Sequence, residues 1–131
     1  MNNRNNGFTV IELIFIIVLL SFASVFVFIQ KQNLEVAAND RSKKTAINAM
    51  YYSLEEVFYP TNKFYPQSIS SDNLKSVDPK LFTDPEGHSI NTPNSSYTYN
   101  PINCVENRCK GYTLTSTLVN EADYKKSSRK N

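Results

Sequence analysis

The chain has 131 residues, 40% of them hydrophobic, and a formal net charge of +2 at pH 7. A charge this close to zero gives no global reason to expect nucleic acid as the main partner. About 30 residues belong to an apolar N-terminal region, so the remainder is long enough for one small domain at most.

The N-terminal region consists of a short polar segment followed by an apolar run over residues 8–29. At about 1.5 Å per residue the run makes a helix of roughly 33 Å, which is enough to cross a hydrocarbon core of about 30 Å. One carboxylate, Glu12, lies near the start of the run. Because an ionised carboxylate at the centre of a membrane helix costs roughly 2.5–3.5 kcal/mol, we interpret Glu12 as a functional residue that pairs with a cation.

The order Gly7, Phe8 and then Glu12 before an apolar run resembles the processing site of type IV prepilins and of the pseudopilins of type II secretion. The resemblance implies that residues 1–7 are a leader, and that a membrane peptidase cleaves after Gly7 and methylates the new amino group of Phe8. It also implies that Glu12 pairs with the terminal amine of a neighbouring subunit in a helical homo-oligomeric filament.

Further partners follow from the same resemblance: a membrane platform protein and an assembly ATPase. The chain is then expected in the cytoplasmic membrane, in contact with lipid, before assembly and in an extracellular pilus afterwards.

An ordinary secretory signal peptide is the alternative interpretation of this region, with Ser21-Phe22-Ala23 as a small-x-small cleavage site. Two features argue against it. The apolar run continues past that site, and a disposable targeting segment has no reason to contain Glu12.

Residues 30–59 contain neither Pro nor Gly, so the helix is expected to continue in an amphipathic part that ends before Pro60. Within residues 47–58 the apolar side chains recur with a period near 3.6, which predicts one buried face. The members of this face are Ile47, Met50, Tyr51, Leu54, Val57 and Phe58. Residues 30–33 and 37–44 are polar nearly all round and are expected either to be solvated or to face other subunits.

Residues 60–120 are predicted to form a globular head of loops followed by a β-hairpin. Turn formers dominate its first part, with a short helical piece expected at 71–76. The alternating segments 96–100 and 111–118 are rich in Tyr and Thr and predict an antiparallel hairpin, with one more short strand near 88–91. The predicted fold class is α+β: a long N-terminal spine helix, part membrane segment and part amphipathic, packed on a small antiparallel sheet.

Cys104 and Cys109 lie in the predicted connection of the hairpin. We expect them to form a disulfide, because an exported head lies in a compartment where disulfides persist. A structural zinc site is not favoured, since two Cys and the single His88 fall short of four ligands.

The segments Tyr65-Pro66 and Asp84-Pro85-Glu86-Gly87 resemble parts of the head of major pseudopilins. Such heads often bind calcium, so the resemblance implies Asp84 and Glu86 as candidate calcium ligands. The alternative is that residues 84–87 form a turn without a metal, which the lack of a larger acidic cluster favours. No other cofactor is predicted.

Residues 121–131 form a basic C-terminal tail, which we expect to be solvated and disordered. Its cations also suit the phosphates of DNA or an anionic cell surface, which is the alternative. They are Lys125, Lys126, Arg129 and Lys130. The sequence contains no catalytic constellation and no phosphate-binding glycine pattern, so no enzymatic activity is predicted.

Together these features predict a major type IV pilin that serves surface adhesion or twitching motility. The first alternative is a major pseudopilin of a type II secretion system. The second is a pilus subunit whose head and basic tail bind DNA for uptake or bind a host surface.

Overall fold

A computed structural model describes residues 9–130 and has the α+β fold that the sequence predicts. Three consecutive helical segments come first: α1 (Val10–Tyr52), a π-helical segment (Ser53–Phe58) and α2 (Tyr59–Asn62). A short 3-10 helix follows at Pro79–Phe82. The strands are β1 (Tyr65–Pro66), β2 (Tyr97–Val105), β3 (Arg108–Ser116) and β4 (Tyr124–Ser127). The described residues divide into two units between Glu35 and Val36.

The helical region extends past Pro60, so the predicted end at Tyr59 is wrong by one short turn. The backbone N–H of Tyr59 donates to the carbonyl of Leu54, which is the five-residue spacing of a π-helix. A proline inside a regular α-helix lacks one N–H and clashes with the carbonyl four residues before it. Here Pro60 lies in the first turn of α2, where a missing N–H is tolerated, and Lys63 ends the helix with a left-handed φ of 65°.

The sheet is antiparallel throughout, and β3 is its central strand. β2 pairs with β3 over nearly its whole length, from Tyr97 opposite Ser116 to Val105 opposite Arg108. β1 and β4 pair with the two ends of the other edge of β3. The predicted hairpin is therefore present, and both of its strands are longer than expected.

The hairpin is longer because its turn contains only Glu106 and Asn107. Both residues have positive φ, 47° and 65°, which is the combination of a two-residue type I′ turn. Cys104 and Cys109 consequently face each other on β2 and β3, and do not lie in the connection as predicted.

Two short elements were predicted in the wrong places. Residues 71–76 form turns, and the short helix lies instead at Pro79–Phe82, where the side chain of Asp78 accepts the N–H of Lys80 at 3.0 Å. Residues 88–91 contribute only an isolated bridge between Ser89 and Thr83.

The side chain of Asn91, which lies in the predicted extra strand, pairs with the backbone of β2. Its side-chain oxygen accepts the N–H of Tyr99 at 2.8 Å, and its side-chain nitrogen donates to the carbonyl of Tyr99 at 3.1 Å. An amide side chain thus occupies the outer edge of β2 where a strand would otherwise be needed.

The sheet covers the predicted helix face with a layer of tyrosine rings. Ile47, Met50 and Leu54 are fully buried on the helix side. The rings of Tyr65 and Tyr112 meet at 4.8 Å between centroids, edge to face. The remaining buried members on the sheet side are Tyr97, Tyr99, Cys109 and Leu114.

Val57 is the member of the predicted face that the structure places elsewhere, since 52% of it is exposed. It lies within the π-helical segment, where each turn contains more residues than the 3.6 of an α-helix. The wider turn rotates Val57 out of the buried face, whereas Phe58 still packs against the core.

Leu54→Ala should lower the free energy of unfolding of the head by about 2–5 kcal/mol, because it leaves a cavity between the helix and the sheet. Val57→Ala also shortens an apolar side chain of this segment, but Val57 is exposed. This substitution should therefore change the free energy of unfolding by less than about 0.5 kcal/mol. Denaturant unfolding of a fragment beginning at Val36 measures both values. Equal effects of the two substitutions would contradict the observed register.

Candidate functional site

The described part of the apolar run presents its side chains outward. Every large apolar side chain from Val10 to Ile29 is at least 37% exposed. Among the described residues this run lies in the one helix that is long and apolar enough to cross a membrane, as judged by length and composition. A continuous apolar surface of this extent marks contact with lipid or with other protein chains.

Only three polar side chains interrupt residues 10–29, and two of them are satisfied within the helix. The hydroxyl of Ser21 donates to the carbonyl of Ile17 at 2.8 Å, and that of Ser24 donates to the carbonyl of Leu20 at 2.8 Å. The third is the carboxylate of Glu12, which has no partner among the described residues. Glu12 is therefore the polar group in this run that requires a partner from elsewhere.

Thr9 caps the start of α1. Its backbone N–H donates to the hydroxyl oxygen of Thr9 at 3.4 Å, and the N–H of Leu13 donates to the carbonyl of Thr9 at 3.1 Å. Thr9 is thus the N-cap and Glu12 the third helical residue, the spacing of a capping box. The predicted cleavage between Gly7 and Phe8, and the methylation of Phe8, lie outside the described residues.

Asp40 joins the helix to the segment that leads to the C-terminus. Its carboxylate is 3% exposed and accepts the backbone N–H groups of Val119 and Asn120, each at 3.0 Å. The N–H of Asn120 lowers the pKa of Asp40 most; burial opposes this, but the N–H of Val119 and the nearby lysine charges keep the pKa below its ordinary value.

Lys43 is the second buried charge on this part of the helix, with its ammonium 3.1 Å from the carboxylate of Glu86. Residues 37–44 were predicted to be solvated or to face other subunits, and this is wrong for Asp40 and Lys43. Both side chains face the head of their own chain because it supplies N–H donors and a carboxylate to match them.

The C-terminal segment is not the solvated, disordered tail that was predicted for residues 121–131. Residues 124–127 form β4, and the hydroxyl of Tyr124 donates to the side-chain oxygen of Asn48 at 2.9 Å. The guanidinium of Arg129 contacts the carboxylate of Glu56 at 2.5 Å and the hydroxyl of Tyr51 at 2.9 Å.

Two of the four cations of the segment are therefore engaged with the helix. Arg129 is held as described, and the ammonium of Lys126 lies over the rings of Tyr51 and Tyr124 at 5.3 and 5.5 Å. The segment is therefore held along the helix and is not a free basic arm.

Glu55 is a buried carboxylate beneath the sheet that sequence reasoning missed. Tyr112 and Tyr65 donate their hydroxyls to its two oxygens at 2.9 and 3.1 Å, and 7% of the residue is exposed. Burial, followed by the neighbouring Glu55, raises the pKa of Tyr65, and burial also raises that of Tyr112. Both hydroxyls consequently stay protonated and act as donors. The sequence did contain a signal for this buried carboxylate, because Glu55 lies four residues after Tyr51 and so on the predicted buried face.

The two candidate calcium ligands are engaged by donors of the head itself. The Asp84 carboxylate, 4% exposed, accepts the N–H groups of His88 and Ser96, each at 2.7 Å. Burial raises the pKa of Asp84, but these N–H groups outweigh it, so the pKa lies below the ordinary value. Glu86 contacts the ammonium of Lys43. Asp84 thus organises the loop, and Glu86 connects the loop to the helix. No cluster of three potential metal ligands occurs among residues 9–130.

The predicted disulfide between Cys104 and Cys109 is confirmed. Cys109 is buried in the core, whereas Cys104 is half-buried at its edge. A bond across five sequence positions closes a short loop, so we expect it to fix the geometry of the hairpin end more than the overall stability.

No protein-family model, curated protein or solved structure matches the chain. The structure itself shows the class of protein: a small α+β head joined to a helix that has the length and composition to cross a membrane.

Tyr112→Phe should cost about 1–3 kcal/mol of unfolding free energy, because it removes one of the donors to the buried Glu55 carboxylate. Tyr97→Phe is the matched control. Its ring is equally buried, but its hydroxyl makes no hydrogen bond to the described residues, so the change should stay within about 0.5 kcal/mol. Denaturant unfolding measures the difference, and equal losses would mean that the Glu55 contact contributes nothing specific.

Proposed function

We propose that the chain is the precursor of a filament subunit of the type IV pilin class. It is inserted into the cytoplasmic membrane, cleaved after Gly7, methylated at Phe8 and polymerised through its N-terminal helix. The observation that carries the proposal is Glu12, the one polar side chain of residues 10–29 without a partner among the described residues.

The proposed cleavage would supply a cation to pair with Glu12. Cleavage after Gly7 creates an amine at Phe8, one helical turn before Glu12. Opposite unit charges about 4 Å apart attract by about 4 kcal/mol at an effective dielectric constant of 20. This attraction is comparable with the roughly 2.5–3.5 kcal/mol that a carboxylate costs at the centre of a membrane helix.

The ion pair also favours assembly, which the transfer of apolar side chains from lipid does not. Lipid tails are as apolar as the exposed side chains of residues 10–29, so their transfer from lipid into a filament core gives no hydrophobic gain. Packing between helices and the pairing of Glu12 with a neighbouring amine are then the terms that favour the filament over the dispersed subunit.

The proposed filament is a surface fibre that serves adhesion or twitching motility. Its partners are other copies of the chain, a prepilin peptidase, a membrane platform protein and an assembly ATPase. A secretion pseudopilus would be built by the same steps, and the length of fibres recovered after shearing distinguishes the two.

Gly7→Glu should leave the precursor uncleaved in the membrane and abolish fibres, because the proposed peptidase requires a small residue before the cut. Gly7→Ala keeps a small residue and should be processed. Mass spectrometry of the N-terminus checks both, and the unmodified protein should begin with N-methylated Phe8. Normal cleavage of the Gly7→Glu chain would overturn the assignment of the leader.

Glu12→Gln should give a normally cleaved, membrane-held subunit with few or no fibres. Gln keeps the size of the side chain and serves a capping box as well as Glu does, so this substitution removes the charge and leaves the cap. Processing should persist, because the bond after Gly7 is unchanged.

Glu35→Gln is the control for Glu12→Gln, because it removes an exposed carboxylate from α1 outside the apolar run. It should assemble normally. Fibres are counted by electron microscopy after shearing, and the N-terminus is checked by mass spectrometry. A normal number of fibres from the Glu12→Gln chain would disprove the ion pair.

A further inference from the structure

The disulfide at the end of the hairpin lies beside a positively charged groove. The groove has a volume of about 460 Å³, and Cys109 lines it together with Lys63, Arg108 and Lys110. Among the described residues no carboxylate lines it; the nearest in sequence, Glu106, lies in the hairpin turn. Two of the cations directly precede and follow Cys109 in β3, so positive charge lies on both sides of one bonded cysteine.

These cations differ from others of the head in having no acidic partner. Within residues 9–130 Lys43, Lys44 and Arg129 each form a salt bridge, whereas none of the three groove cations does. The guanidinium of Arg108 lies over the Phe64 ring at 5.0 Å from its centroid, a contact that leaves its charge in place. The field in the groove therefore attracts anions, and the reactive form of a thiol is an anion.

The two bonded cysteines differ in how accessible they are. Cys104 is half-buried, whereas only 1% of Cys109 is exposed. An attacking thiolate therefore reaches the sulfur of Cys104, and Cys109 becomes the leaving group. Thiol–disulfide exchange is faster when the departing thiolate is more stable, and the cations next to Cys109 stabilise a thiolate there.

The disulfide holds the end of the hairpin in a conformation that its residues do not all favour. Asn103, Glu106 and Asn107 have positive φ, at 52°, 47° and 65°. Asparagine often adopts such values, but glutamate rarely does. Beyond Asn103 the two strands pair at two positions, and one of them is the disulfide-bonded pair itself. Breaking the S–S bond thus allows this end to relax.

The rest of the head does not require the bond. A cross-link contributes less to stability as the loop that it closes becomes shorter, and this one joins residues five positions apart. Cys109 belongs to the core, but a free thiol packs there as a small apolar side chain. Reduction is therefore expected to leave the contact between the helix and the sheet intact.

We propose that Cys104–Cys109 is a redox-active disulfide that is reduced by a dithiol, and that its reduction opens the end of the hairpin alone. One thiolate of the dithiol attacks the sulfur of Cys104, which forms a mixed disulfide and releases Cys109 as a thiolate. The second thiolate of the dithiol then attacks its own partner sulfur in the mixed disulfide, which releases Cys104 and closes a disulfide within the dithiol. Two electrons pass to the cysteine pair, which also takes up, through water, the two protons that the dithiol loses.

The site is separate from the proposed assembly residues, so its test does not require a filament. The full chain in a neutral detergent is treated with excess reduced glutathione, and the freed thiols are alkylated and counted by mass spectrometry. The combined variant Lys63→Gln, Arg108→Gln and Lys110→Gln should be reduced on the order of tenfold more slowly than the unmodified chain, because the glutathione thiolate has a net charge of about −2.

Two further measurements separate the effect of charge from a change in packing. The variant Lys63→Gln and Lys110→Gln keeps the contact between Arg108 and Phe64, and should still be reduced about fivefold more slowly. With 2-mercaptoethanol, whose thiolate has a single charge, the combined variant should be slower by only about threefold. Equal slowing with both thiols would overturn the role of the groove charges.

The matched control removes one arginine and two lysines that are exposed and lie outside the groove: Arg41→Gln, Lys80→Gln and Lys125→Gln. It should be reduced within about twofold of the unmodified rate, because distant charges are screened at a Debye length of about 8 Å. Glu106→Gln removes the negative charge of the turn and should raise the rate by about twofold. Equal losses in the groove variant and the control would overturn the groove as the cause.

Hydrogen exchange shows which part of the head opens. Reduction should raise the exchange rate of the amides of residues 103–110 by about tenfold or more and leave that of residues 47–54 unchanged. A rise at both places would mean that the disulfide holds the whole fold, and no rise at either would mean that nothing opens; both results overturn the proposal. A disulfide that stays oxidised in excess reduced glutathione and in dithiothreitol overturns it as well.

Discussion

The contact between one face of the helix and the tyrosine layer of the sheet is the interaction on which the head depends. A hairpin by itself is marginally stable in water, and β1 and β4 add only short pairings to it. Ile47, Met50 and Leu54 provide the apolar surface that the sheet covers. They share one face of the helix because they recur at intervals of three and four residues, and the sheet packs on that face.

A second set of contacts holds the C-terminal segment along the helix. Asp40 accepts N–H groups of Val119 and Asn120, Asn48 accepts the hydroxyl of Tyr124, and Glu56 pairs with Arg129. Residue numbers increase along the helix and along the C-terminal segment in the same order, so the segment runs beside the helix in the same direction. Its order comes from polar partners that the helix supplies at regular intervals, and this is why composition alone misidentifies it as a tail.

The helical period of the apolar residues and the residues of the turns explain which parts of the fold could be predicted from the sequence and which could not. A constant period of 3.6 identified Ile47, Met50 and Leu54 but misplaced Val57, since no local signal marks the π-helical segment. The Glu106-Asn107 turn lacks the glycine that usually announces a type I′ hairpin, so both strands were predicted too short. The roles of Asp40 and Glu55 depend on residues far away in sequence, and the processing of Gly7 and Phe8 stays a prediction because both lie outside the described residues.

The small net charge of the chain is consistent with a strongly cationic local surface. The total of +2 is the difference between 14 basic and 12 acidic residues, and it contains no information on their arrangement. In the head, the carboxylates of Glu56, Glu86 and Glu121 each neutralise a specific cation. Beside the end of the hairpin, Lys63, Arg108 and Lys110 have no acidic partner among the described residues, so the local field there is set by local pairing and not by the total charge.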